Sequence, residues 1–193
     1  MPSDGQDLPQ HPRMRAGDQT RAVPPPLHER QGHRGPTGLG LRGVRSVLTL
    51  RQAGASDADL LSEWRNDPEA VRFSVSRREV GPAEHRQWLA HALASPTTRL
   101  WIAERGGIAV GQVRLDPRTD GHEVSLAVAP RERGRGVGQE LVGGLMALAV
   151  TEGLQPLLAR VDRDNVASIR VFLRAGFVQT RADARMIHLR WPQ

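Results

Sequence analysis

The sequence predicts a single α/β (α+β) domain over residues 46–193, preceded by an extension, residues 1–45, without a core of its own. Three observations lead there. In a chain of 193 residues that is only 38% hydrophobic, the apolar residues are concentrated after Arg45. From Ser46 onward, short strand patterns of period two alternate with segments of helical spacing. One strand and one helix are joined by a single glycine-rich turn, Arg133-Gly134-Arg135-Gly136-Val137-Gly138. A domain of about 150 residues buries a sizeable core, and neither an internal repeat nor a second domain is visible.

The extension holds half of the chain's 14 prolines, including Pro24-Pro25-Pro26, with no aromatic residue and no apolar periodicity. Such a segment cannot bury enough surface to offset its ordering entropy, so it reads as disordered, or as an artefact of start-site assignment. Its arginines are scattered rather than blocked, which argues against an arm for nucleic acid.

The elements follow in order. Residues 47–51 read as a strand. Ser56 reads as the N-cap of a helix whose apolar face is Leu60, Leu61 and Trp64. Pro68 restarts the chain into a short helix through Phe73. Pro82 sits at a first helical position, and Trp88, Leu89, Ala92 and Leu93 follow at helical spacing. Residues 99–104 and 108–115 form a hairpin through Gly106-Gly107, and 116–121 is a turn. In the strand 122–129, Val124, Leu126 and Val128 share one face, with Glu123, Ser125 and Ala127 on the other. Pro130, with no amide to donate, ends it. A helix over about 138–152 turns Leu141, Leu145 and Leu148 inward, and 157–161 is a strand. Asn165 caps a helix with Val166, Ile169, Phe172 and Leu173 inward, and Gly176 stops it. Residues 177–178 and 186–191 close the fold.

Composition removes several chemistries. The net charge is +6, and all 27 basic residues are arginine; lysine, tyrosine and cysteine are absent. Without lysine there is no Walker A loop and no Schiff base. Without cysteine there is no disulfide, thiol nucleophile or zinc–thiolate site. A tyrosine general acid is also excluded. No apolar run is long enough to span a membrane, and the start lacks the pattern of a secretory leader, so a cytoplasmic protein is expected.

The glycine-rich turn points to a phosphate. A helix N-terminus offers unpaired amides and partial positive charge, and glycines let the backbone approach a ligand closely. Together they suit a pyrophosphate, and Arg131, Arg133 and Arg135 add charge. The dinucleotide fingerprint G-x-G-x-x-G does not fit the spacing Gly134-x-Gly136-x-Gly138. The pattern Arg-x-x-Gly-x-Gly, set by Arg133, Gly136 and Gly138, does.

With the preceding strand Val124-Ser125-Leu126-Ala127-Val128-Ala129-Pro130 and the later Asp164-Asn165-Val166-Ala167-Ser168-Ile169-Arg170-Val171-Phe172-Leu173-Arg174-Ala175-Gly176-Phe177, the chain from residue 47 to its end resembles the GNAT family of N-acetyltransferases. The resemblance implies the GNAT fold, a mixed and mostly antiparallel central sheet flanked by helices. It implies an enzyme that takes its acetyl group from acetyl-CoA as co-substrate, with no metal. The amides of Arg133, Gly134, Arg135, Gly136, Val137 and Gly138 would hold the pyrophosphate. The Val128 amide would polarise the thioester carbonyl, and the Asn165 side chain would touch the pantetheine or phosphate arm besides capping its helix. Glu123 would be the base, set against the plainer role of a strand-end carboxylate paired with arginine. The family often places an acidic tyrosine where this chain has Phe172, and that departure leaves the thiolate to water, Ser168, His188 or no acid at all, since a thiol pKa is about 8.5.

For the acceptor, Glu63-Trp64-Arg65-Asn66-Asp67-Pro68, Val71-Arg72-Phe73-Ser74, Glu84-His85-Arg86-Gln87-Trp88-Leu89 and Gly111-Gln112-Val113-Arg114 resemble a branch that acetylates nucleotide-linked deoxyamino sugars, as in pseudaminic acid synthesis. The implied partner is a small-molecule amine or amino sugar. Asn66, Arg72, His85 and Arg114 would grip its hydroxyls and phosphates. Trp64 and Trp88 would stack on a ring or, given their spacing with leucines, pack in the core; Arg65 and Arg86 read as solvated. Within the family, a protein N-terminal amine, as in ribosomal-protein acetylation, and an aminoglycoside are the alternatives. Outside it stand an inactive acyl-CoA-binding sensor and a nucleic-acid binder, the latter disfavoured by 4% aromatics. No membrane partner is expected, and a homodimer is left open.

Overall fold

The computed structural model describes residues 47–191. The extension expected to be disordered lies outside the described residues. Seven strands form one sheet: β1 (Leu48–Gln52), β2 (Arg99–Arg105), β3 (Ile108–Arg118), β4 (Gly121–Val128), β5 (Leu157–Asp162), β6 (Val178–Ala182) and β7 (Met186–Trp191), in the order β1-β2-β3-β4-β5-β7-β6. All neighbours are antiparallel except β4 and β5. The mixed, mostly antiparallel sheet expected of the chain is therefore present.

Helices cover both faces. On one face lie α1 (Ala58–Asn66), α2 (Pro68–Phe73) and α3 (Pro82–Ala94), where Leu61, Trp64 and Leu89 pack against Leu100 and Ile102 of β2. On the other lie α4 (Val137–Glu152) and α5 (Val166–Arg174). There Leu141, Leu145, Leu157 and Phe172 join Val113, Leu115 and Val124 in the larger core. Each leucine taken out of water in this way contributes about 1.5–3 kcal/mol. The register of β3 and β4 has a local requirement at Gly111. A Cβ there would lie 2.7 Å from the Ala127 carbonyl oxygen and 3.0 Å from Leu141.

Several local expectations are corrected. Ser56 does not cap α1: a 3-10 turn, Ala55–Asp57, comes first, and Asp57 stands at the helix start. The Asp57 carboxylate is taken instead by Arg51, at 2.7 and 2.8 Å, and by the Gly54 amide. The turn expected at 116–121 shrinks because β3 runs on to Arg118, with Asp116 opposite Glu123 and Pro117 opposite His122. In α5, Phe172 is buried and Ile169 packs against the core, but Val166 and Leu173 are 49% and 47% exposed. One helix with a single supporting face buries one stripe only.

Candidate active site

The site begins where two strands separate. β4 and β5 pair at His122 with Leu157 and at Glu123 with Leu158, and no further. The His122 amide donates to the Pro156 carbonyl at 2.9 Å, toward β5, whereas the Ala129 amide donates to the Val110 carbonyl at 2.9 Å, toward β3. Because amides alternate between the two edges of a strand, the N–H groups of Leu126 and Val128 point into the gap left by β5. The sequence singled out Val128; the Leu126 amide, on the same edge, was missed.

The gap opens onto the N-terminus of α4. Gly136 caps the helix in the left-handed region at φ 85°, and Gly134 is also left-handed at φ 73°. A Cβ at either glycine would meet nothing within 4 Å, so the space in front of the turn is open. The Val137 and Gly138 amides start the helix with no carbonyl behind them. The Arg133 and Arg135 side chains do not stand free over this turn. Arg133 bonds Asp67 at 2.7 Å and Glu69 at 2.9 Å, and Arg135 bonds Glu132 at 3.2 Å. What the turn presents at the start of α4 is thus backbone, and Arg133 ties it to the start of α2. Asn165 accepts the Ser168 amide at 3.0 Å as an N-cap and lies on the wall of the same cavity.

That cavity, of about 860 Å³, runs from Gly134, Gly136 and Gly138 past Leu126 and Val128 to a wall formed by α1, α3 and β3. Trp64, Arg65, His85, Trp88, Gln112 and Arg114 stand on that wall. The chain between α2 and α3 lines the cavity with Ser74, Val75, Ser76 and Val80 and is clamped by Asp162 at the end of β5. Asp162 takes Arg77 at 2.8 Å and Arg185 at 3.1 Å, and Arg185 also holds the carbonyls of Ser74 and Val75. These contacts, Arg77 foremost, hold the buried Asp162 carboxyl down at about 2.

The family model described as an acetyltransferase (GNAT) domain matches residues 47–178. The chain belongs to the GNAT acetyltransferase family. Acetyltransferase Pat of Mycolicibacterium smegmatis is 35% identical to it over 95 residues, 46% of this chain and 28% of that protein. The mycothiol acetyltransferase of Rhodococcus opacus is 25% identical over 174 residues, 75% of this chain and 57% of that protein. The chain therefore spans between 28% and 57% of the length of three curated relatives it matches. Among solved structures, AAC(6')-Ib in complex with ribostamycin and coenzyme A superposes with a TM-score of 0.68 at 20% identity, covering 77% of this chain and 94% of that one. Spermidine N-acetyltransferase from Vibrio cholerae, with CoA and spermine, gives 0.65 at 17% identity, covering 74% and 92%. At such identities the likeness shows the fold.

Within this GNAT domain the structure sorts the remaining candidates. Glu123 lines the cavity beneath the gap but is held from two sides, by Arg118 at 2.7 Å and Arg160 at 2.9 Å. Burial pushes its carboxyl up, and the hydrogen bonds from Arg118 and Arg160 outweigh burial, so its pKa lies below the ordinary value. Asn66 is placed elsewhere: both ends of its amide bond the Val80 backbone at 2.8 Å. Arg72 stacks over Phe73, 5.0 Å from the ring centroid, and is exposed away from the cavity wall. His85 and Arg114 do reach the wall; Arg114 bonds Asp116 at 2.8 Å and lies 5.2 Å over the Trp88 ring.

Trp64 is core, and Trp88 is half-buried on the wall. Arg65, expected in solvent, is instead half-buried there. It donates to Ser76 Oγ and the Arg78 carbonyl, while one Nη has no partner among the described residues. Both residues stand in the motifs that carry the acceptor resemblance, but Arg65 was expected in solvent and Gln112 was given no role, since their placement depends on loop 74–80 and on the register of β3. Ser168 and the core residue Phe172, 3% exposed, line the cavity, whereas His188 is bonded to Asp183 at 3.1 Å. Among the described residues no helix is long and apolar enough to cross a membrane.

Proposed function

We propose that this chain transfers the acetyl group of acetyl-CoA to a primary amine, and that the amine belongs to a small acceptor of the nucleotide-linked amino-sugar kind. The observation that carries the reading is continuity. One cavity joins a backbone anion cradle at α4, two free amides on β4, and a polar wall with an aromatic ring. The cradle suits the pyrophosphate of the co-substrate. The Leu126 and Val128 amides suit the oxygen on which negative charge develops when the amine adds to the thioester carbonyl. The new C–N bond forms, the C–S bond breaks, and CoA leaves.

The acceptor wall favours a substrate that carries oxyanions. Arg65 meets no carboxylate within bonding distance among the described residues, and a phosphate would complete it. Trp88 offers a face for a ring. The solved neighbours act as a reminder of the range, since ribostamycin and spermine accompany two of them. Glu123, expected from the sequence to be the base, is tied up between Arg118 and Arg160.

The test is a calorimetric titration of the full chain with acetyl-CoA, then detection of free CoA with four amines: a UDP-linked amino sugar, ribostamycin, spermine and a peptide beginning with alanine. Binding with CoA release from the sugar supports the whole reading. Release from another amine keeps the activity and moves the acceptor. Binding without any release favours an acyl-CoA sensor, and no binding refutes the reading.

A further inference from the structure

The cavity wall carries Glu69, Glu84, Asp116, Glu123, Glu132 and Asp162. Every one of these carboxylates is held by arginine. Glu69 bonds Arg133, Glu84 bonds Arg78, Asp116 bonds Arg114, and Glu132 bonds Arg135. Glu123 and Asp162 are held by two arginines each. A carboxylate fixed between guanidinium groups is a poor proton acceptor, because protonation would break a charge-assisted hydrogen bond.

One side chain on the wall is of another kind. His85, in the second turn of α3, is 3% exposed, and its Nδ1 is buried with no hydrogen-bond partner among the described residues. It lines the same cavity as Leu126 and Val128. The His85 and Trp88 rings lie 5.1 Å apart, the Arg114 guanidinium is 5.2 Å above Trp88, and Arg114 pairs in register with Ser125, next to Leu126.

We propose that His85 takes the proton of the attacking amine, in place of Glu123 or any other carboxylate of the cavity. This rests on the acetyl-transfer reading. As the amine nitrogen bonds to the acetyl carbon, one N–H proton passes to the imidazole. The C–S bond then breaks, the thiolate leaves with its electron pair, and the imidazolium returns the proton to it directly or through a water. The amine loses one proton, CoA gains one, and His85 returns to its neutral form.

The charged groups around His85 are consistent with this role. Burial lowers its proton affinity below the ordinary 6.5, and Arg65 on α1 lowers it further. β2 presents Leu100 and Ile102 beside α3, the 3-10 turn presents Asp57 bound to Arg51, and β3 presents Arg114 bound to Asp116. Within α3 itself, Glu84 is bound to Arg78. The ring is therefore neutral, and able to accept a proton, at neutral pH.

The experiment compares the wild-type full chain with His85→Gln and Glu123→Gln. It measures kcat and KM for acetyl-CoA with whichever of the four amines the wild type acetylates, between about pH 5 and 9. Wild-type kcat/KM should fall on acidification with a midpoint below 6.5. His85→Gln should lower kcat by about 10²-fold or more and flatten that limb, while Glu123→Gln keeps it. A limb that persists in His85→Gln, or a change in KM alone, overturns the proposal; a limb flattened only by Glu123→Gln gives the role to Glu123. If His85→Gln no longer binds acetyl-CoA, an NMR titration of the wild-type imidazole decides, since a midpoint away from the kinetic one also overturns it. A wild type that binds acetyl-CoA but acetylates none of the amines overturns the acetyl-transfer reading and this proposal together.

Discussion

The end of the cavity proposed for the cofactor and the end proposed for the acceptor present different things to a ligand. At α4 and β4 the groups on offer are amides: Val137 and Gly138 at a helix start, Leu126 and Val128 along a strand whose neighbour has left. At α1, α3 and β3 they are side chains, Arg65, His85, Trp88 and Arg114, brought from three elements. An amide site depends on backbone conformation, so it fails when a glycine is lost. A side-chain site depends on how helices and loops are clamped, so it fails when a distant contact is cut. Even the arginines follow this division. Arg133 belongs by sequence to the glycine-rich turn, yet its guanidinium bonds Asp67 and Glu69 at the start of α2.

Substitutions can break that contrast, and the largest effect should come from the backbone end. Gly136→Asp puts a negative side chain at a left-handed position, φ 85°, in front of the cradle. Acetyl-CoA affinity should fall by about 100-fold or more, or ~2.7 kcal/mol, with a melting temperature within a few degrees of wild type. Calorimetry checks the first and thermal unfolding the second. An unchanged affinity would remove the cradle from the site.

At the other end, Asp162→Asn should cost about 2 kcal/mol of stability by weakening the bonds to Arg77 and Arg185. It also carries a pH signature. The Asp162 carboxyl lies at about 2 in the fold against an ordinary 3.8, so its contribution is complete above the ordinary value and disappears as pH falls toward 2. Denaturant unfolding at acid pH should show the wild type losing stability over that window, while the Asn variant lacks that component of the loss.

Asn165→Ala sharpens the division more gently. Loss of the cap over Ser168 should cost about 1 kcal/mol. If acetyl-CoA affinity falls as well, the Asn165 amide also touches the co-substrate; if it does not, the cap is its whole role. The smallest effect is expected for Arg133→Ala. Freeing Asp67 and Glu69 should cost less than about 1 kcal/mol and should raise KM for the acceptor more than Kd for acetyl-CoA. A selective loss of acetyl-CoA affinity would return Arg133 to the cofactor end.

The elements themselves were largely legible. Pro68 and Pro82 start α2 and α3, Gly106-Gly107 turns the hairpin, the glycine-rich turn opens α4, and Gly176 follows α5 with left-handed backbone. Each of these is a local steric rule, so the residue reveals it. The errors fell where a side chain had two competing partners. Ser56 was expected to cap α1, but a 3-10 turn comes first and Asp57, at the helix start, is captured by Arg51; Val166 and Leu173 fit a helical stripe, but the sheet covers only the Phe172 side of α5.

The sequence by itself determined the family, the alternation of strands and helices, and the glycine turn at the start of α4, because these follow from dihedral preference and hydrophobic period within a few residues. Tertiary structure decided which polar groups meet. It placed Glu123 between Arg118 and Arg160, turned Asn66 onto the Val80 backbone, and carried Arg65 and His85 to the cavity wall. Strand register, the separation of β4 from β5 and the clamp on loop 74–80 set those distances. Each is a contact between residues far apart in the chain, and the free energy of an ion pair depends on a separation that no local pattern encodes.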